Sequence, residues 1–176
     1  MLRRVETTEA TSGLTEAELP TWFMLVGVLI KLPAALDEQL QRDAGMNHFE
    51  FLVLKRLYLR EGHSLRMSEL AVITNGSLSR LSQVISRLEK RGWVRRASDP
   101  TDGRCTLAIL TEAGSNKLAD TLPGHAEAVR RFVFDPLTKA QRRQLHDICY
   151  RIIRAIHPDI PDREPDVRAF RADTGC

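Results

Sequence analysis

From Leu78 to Arg91 the chain carries a helical pattern whose two faces have little in common. Leu78, Leu81, Val84, Ile85 and Leu88 recur at three- and four-residue steps, so this side needs a core to pack on. The opposite side, Ser79, Arg80, Ser82, Gln83, Ser86, Arg87 and Lys90, has no apolar residue and no carboxylate. A face that serves only solubility normally mixes acids with bases. This one is suited to a surface that is negatively charged and rich in hydrogen-bonding groups.

The surroundings narrow the fold further. Arg66 to Thr74 is short and amphipathic through Met67, Leu70, Ala71 and Ile73, and it stops at Asn75-Gly76, a strong turn dipeptide. Ser77 then caps the polar-faced helix, and Gly92 ends it. Trp93 to Arg96 and Cys105 to Leu110 favour strand, with the turn formers S-D-P-T-D-G-R between them, which predicts a hairpin. Short helix, tight turn, second helix and basic hairpin together outline a winged helix-turn-helix. A major groove about 12 Å wide admits one helix whose exposed groups reach base edges and phosphates. Between Arg66 and Arg104 lie eight basic residues and four acidic ones, a local net of +4 in a chain of net +3, so the positive charge is concentrated on this element.

The rest of the 176 residues reads as helical. A first helix is expected over about Pro20 to Asp43, where Trp22, Leu25, Val26, Leu29, Leu32, Leu36 and Leu40 form a stripe, with a kink at Pro33 and Gly45 as terminator. Asn47 with Glu50 predicts a capped second helix through Phe51, Leu54, Leu57 and Tyr58. After Thr111 a long helix runs through Leu118 and Leu122, with an interruption expected at Pro123-Gly124. Thr138 with Gln141 caps a last helix whose stripe is Leu145, Ile148, Cys149, Ile152, Ile153 and Ile156. No linker divides the interior, and one folding unit is expected.

Several function classes find no support. Hydrophobic residues make up 43% and charged ones 28%, which fits a soluble globular chain. The most apolar stretch, Trp22 to Ile30, is shorter than the roughly 20 residues of a membrane span, and Arg3 and Arg4 are separated from it by a polar, acidic segment, unlike a secretory signal. Cys105, Cys149 and Cys176 form no C-x-x-C pair, which points to a reducing compartment, and a cytoplasmic location is expected. Cys105 and Cys149 read as small hydrophobes and Cys176 as a tail thiol. His48, His63, His125, His146 and His157 belong to no ligand-spaced cluster. No nucleophile elbow, P-loop or Rossmann glycine pattern occurs, so no enzyme, catalytic residue, cofactor or metal is expected.

S-L-S-R-L-S-Q-V-I-S-R-L-E-K-R-G-W-V-R-R, followed by D-P-T-D-G-R and L-T-E-A-G, resembles the MarR family of bacterial transcriptional regulators over about Leu14 to Ile156. The resemblance implies a mainly α fold with a small β-hairpin wing: a winged helix-turn-helix at about 47–110, flanked by dimerisation helices at about 15–44 and 111–157, with flexible ends at 1–13 and 158–176. It implies a homodimer on a palindromic double-stranded DNA operator, in most members a repressor, often released by a small phenolic or aromatic effector. Ser77, Ser79, Arg80, Ser82, Gln83, Arg87 and Arg95 are the expected DNA-binding residues on the helix and the first wing strand. By analogy with the family, Arg104 at the wing tip enters the minor groove, and Asp102 braces the wing through an ion pair to a nearby arginine. The alternative is a winged-helix module that docks an acidic protein partner, which would be indifferent to DNA sequence.

Overall fold

A computed structural model describes residues 13–158; the ends expected to be flexible, and Cys176, fall almost wholly outside the described residues. The elements in chain order are α1 (Glu18–Ala44), α2 (His48–Tyr58), a 3-10 turn (Glu61–His63), β1 (Ser64–Arg66), α3 (Met67–Ile73), α4 (Leu78–Lys90), β2 (Val94–Ser98), β3 (Thr106–Leu110), α5 (Glu112–Val129), a π-helical turn (Arg130–Phe134) and α6 (Lys139–Ile156). The three strands form an antiparallel sheet in the order β1-β3-β2. β2 and β3 make the expected hairpin with Arg96 opposite Ala108, while β1 pairs Leu65 with Ala108 from the other side.

Local signals set most of the boundaries. Asn47 accepts from the Glu50 N–H, and the Glu50 carboxylate accepts from the Asn47 N–H, closing a capping box at the start of α2. Thr138 and Gln141 do the same for α6. Ser77 Oγ accepts from the Arg80 N–H at the start of α4. Gly45 ends α1 at φ 65°, a conformation that costs an L side chain free energy and glycine almost none.

One core holds the winged module together. Phe51, Val53, Leu54 and Leu57 of α2, Leu70 of α3, Leu81, Val84, Ile85 and Leu88 of α4, Val94 and Ala108 of the sheet and Leu118 of α5 are all buried, joined by Leu40 near the end of α1. Each large apolar side chain buried in this way is worth about 1.5–3 kcal/mol. The other end of the molecule differs: Phe23, Met24, Val28, Leu29 and Ile30 of α1 are exposed, and no residue of α6 is buried.

Four expectations need correction. Leu78 does not join the core of α4; it is 55% exposed in the first turn, whereas Leu81, one turn further in, is fully buried. Ile73 is likewise exposed at the end of α3. Pro123 and Gly124 do not interrupt α5, which runs unbroken through both, because the helix packs along α1 and α2 with Leu118, Thr121 and Ala128 buried, and tertiary packing overrides local propensity. The departure from α geometry comes later, at Arg130–Phe134. Finally, α1 taken whole is 27 residues long and apolar enough to cross a membrane by length and composition, which Trp22 to Ile30 alone did not suggest; its second half packs on α2 and α5 and buries Leu36, Gln39, Leu40 and Ala44.

A candidate nucleic-acid interface

α4 presents the predicted polar face to solvent. Ser77, Ser79, Arg80, Ser82, Gln83 and Arg87 are all exposed, as are Arg95 on β2 and Asp102 and Arg104 in the loop between β2 and β3. Two concavities divide part of this set. One, about 420 Å³, lies between α3, α4 and the wing and brings Ser82 and Arg104 together with Arg66, Ser68, Leu78 and Arg96. The other, about 560 Å³, lies where α1 and α2 meet the start of α4; Pro33, Asp37, His48, Phe49 and Leu52 line it, and Arg80 closes it. The Arg80 guanidinium lies 4.5 Å from the centre of the Phe49 ring, a cation-π contact that joins the recognition face to this cleft. Neither concavity includes Arg95, Gln83 or Arg87.

Arg87 has a second partner. Its Nε donates to Glu50 Oε1 at 2.9 Å, and Arg91 approaches the other oxygen at 3.7 Å while donating to the Gly45 carbonyl. Glu50 is 2% exposed, so removing its cations would strand a buried carboxylate. Arg87, half exposed, therefore anchors α4 to the start of α2 as well as facing outwards.

The wing brace also differs from expectation. The arginine partner is Arg66, whose Nε donates at 2.6 Å to Asp99, and Asp102 instead accepts from the Arg104 N–H at 3.1 Å. Asp99 further accepts from the N–H and the hydroxyl of Thr101. The Thr101 hydrogen bonds, and after them Arg66, hold the Asp99 carboxyl down at about 2. Arg66, at the end of β1, thereby ties the wing loop back to the start of α3, and Asp102 shapes the tip that presents Arg104. Cys105 stands beside Asp102, and burial together with that carboxylate pushes its thiol up, away from the reactive thiolate.

Sequence reasoning missed Phe49, Arg66 and Arg96 as parts of this surface, and the buried Glu50 beneath it as the partner of Arg87. Their partners lie far along the chain, and no local period marks them. It also missed a histidine pair under the second cleft: the His48 and His125 rings lie 6.2 Å apart, with His125 against Phe51 at 4.3 Å. Burial lowers both, His125 to about 4.

Known proteins match this arrangement. Residues 46–106 match the MarR family model. The transcriptional repressor MprA of Escherichia coli K12 is 30% identical over 109 residues, 62% of this chain and 61% of MprA, so the match spans under two thirds of that protein. Among solved structures, Sco3205, a MarR family transcriptional regulator from Streptomyces coelicolor crystallised in complex with DNA, is 42% identical with a TM-score of 0.77, covering 83% of this chain and 95% of Sco3205. AbsC, a MarR family regulator from the same organism, is 33% identical with a TM-score of 0.76, covering 83% of this chain and 98% of AbsC. The likeness takes in the flanking helices as well as the winged module, and the chain belongs to the MarR family.

Proposed function

We propose that the protein is a sequence-specific double-stranded DNA-binding transcriptional regulator, a repressor that acts as a homodimer on a palindromic operator. The observation that carries this reading is the outward face of α4, polar, basic and free of carboxylates, set beside a wing that exposes Arg95 and Arg104. Ser79, Arg80, Ser82, Gln83 and Arg87 meet the major groove, with Ser77 at the helix start, and Arg104, shaped by Asp102, meets the minor groove. That Sco3205 was crystallised with DNA and that MprA is a repressor both support the reading.

The dimer accounts for the uncovered apolar surface. Ile148, Ile152, Ile153 and Ile156 of α6 and Phe23, Met24 and Leu29 of α1 are each at least 40% exposed, more apolar surface than a lone domain normally leaves in water. A second copy covers it and sets two recognition helices about one DNA turn, roughly 34 Å, apart. A small aromatic or phenolic effector then occupies the cleft closed by Arg80, whose volume is in the range of small-molecule sites. It releases DNA only in so far as it binds the DNA-incompetent form better than the competent one. The protein acts in the cytoplasm and performs no catalysis.

The test is fluorescence anisotropy on a duplex from upstream of the protein's own gene, against a scrambled duplex, over a range of salt. Tight, selective binding that falls steeply with salt is expected. Binding indifferent to sequence at every salt concentration would replace this reading with a protein-docking module.

A further inference from the structure

We infer that Glu89 and Arg96 are positioning residues for DNA binding: together they hold the wing at a fixed angle to the recognition helix, and neither contacts DNA. The inference rests on the DNA-binding reading above. α4 and the wing tip must meet two different grooves at once, so the angle between them decides whether both engage. Only Arg91, Gly92 and Trp93 separate α4 from β2, and Gly92 takes φ 72°. Thr111 secures the base of this turn by donating its hydroxyl to the Gly92 carbonyl and its N–H to the Trp93 carbonyl. Further out along the wing, every side-chain hydrogen bond between β2 and α4 among the described residues involves Arg96.

The geometry is that of a staple. β2 is an edge strand, and the Arg96 N–H donates to Glu89 Oε1 at 3.0 Å, so the helix carboxylate substitutes for a missing neighbour strand. One guanidinium nitrogen, Nη1, donates to the other Glu89 oxygen. The second, Nη2, donates to the Ser82 carbonyl at 2.9 Å and to Ser86 Oγ at 3.1 Å, a full helical turn away. Both side chains are about 30% exposed, shielded enough for a forked, charge-assisted contact to hold its geometry. An arginine in the wing of a DNA-binding protein would ordinarily be counted as a phosphate contact. Here its donors are already directed at Glu89 and the α4 backbone.

The two roles predict opposite signs. Glu89 is an acid beside a DNA-facing surface, so on electrostatics alone its removal tightens binding. As half of a positioning pair, its removal loosens the wing and weakens binding. We would measure operator and scrambled-duplex binding across salt for the full-length wild type, Glu89→Gln, Arg96→Lys, the double variant and Arg95→Gln, with thermal melts showing each variant folded at the assay temperature. Glu89→Gln and Arg96→Lys are each expected to weaken operator binding about tenfold with the salt slope unchanged, binding to scrambled DNA being unchanged in Arg96→Lys and no weaker in Glu89→Gln, and the double variant no weaker on the operator than either single one. Arg95→Gln, which removes an exposed charge, is expected to reduce the slope instead. Tighter binding by Glu89→Gln, or wild-type binding by Arg96→Lys, would overturn the inference while leaving the DNA-binding reading intact. A wild type that does not distinguish the operator from scrambled DNA would overturn both.

Discussion

α4 and α6 carry the same kind of apolar stripe, yet the fold treats them in opposite ways. In α4, Leu81, Val84, Ile85 and Leu88 are at most 2% exposed, because α3 and β2 pack on the helix and its stripe enters the shared core. In α6, Ile148, Ile152, Ile153 and Ile156 range from 40% to 66% exposed, and none of the described residues closes over them. Amphipathic periodicity thus identifies a face that requires cover, and it does not say which molecule supplies the cover. One helix is covered by its neighbours in the fold, and the other is the face that the proposed dimer would cover.

Removing the same kind of atoms from each stripe should have opposite signatures. Leu88→Ala should destabilise the fold by about 2–5 kcal/mol in urea unfolding, at any protein concentration. Ile153→Ala should show its effect as weaker self-association by sedimentation and a melting temperature that depends on concentration. An equal, concentration-independent loss from both would mean that α6 is covered within the subunit.

Next in size is Gly114→Ala. A Cβ there would stand 2.1 Å from the Trp93 carbonyl oxygen, which is backbone and cannot rotate away. Overpacking of this kind should cost about 1–3 kcal/mol and localise to the α5–wing junction, with dimerisation unaffected by sedimentation.

The histidine pair that joins α2 to α5 adds a pH test. Burial holds His125 at about 4 and lowers His48 in the fold, while both take up protons near 6.5 when unfolded. Acid therefore favours the unfolded chain: stability should be full above about pH 6.5 and decline toward pH 4. Melts across that interval should show the decline, and His125→Phe should flatten it.

The smallest stability effect belongs to Arg104→Ala. As an exposed loop residue it should leave the melting temperature within the equivalent of about 0.5 kcal/mol, while operator binding weakens and loses its dependence on minor-groove width. A destabilised variant would assign Arg104 to the wing's own structure.

What was legible in the sequence was mostly local. The capping pairs Asn47–Glu50 and Thr138–Gln141 act over three residues, and they set the helix starts as expected. The hairpin was legible because turn formers separate two runs of strand formers. β1 was not: three residues carry no alternation, and only pairing with β3 makes them a strand. Leu78 looks like core because its spacing matches Leu81, but exposure depends on where the next element happens to end. The bracing carboxylate was carried over to Asp102 by analogy with the family, and the fold gives the ion pair to Asp99: the two lie three residues apart in one loop, and only the fold decides which faces Arg66.

The pairing of β1 with β3 also bears on how the protein is made. Ser64 finds its partner at Ile109, with α3, α4 and the β2 strand enclosed between them. The helix-turn-helix is therefore a closed loop, fastened only when β3 arrives. On a ribosome emitting the chain from its N-terminus, α4 can form as a helix but has no finished sheet to rest on until Leu110 has emerged. Nascent chains stalled before that point should be readily cut by protease within α3 and α4, and those stalled well beyond it should resist.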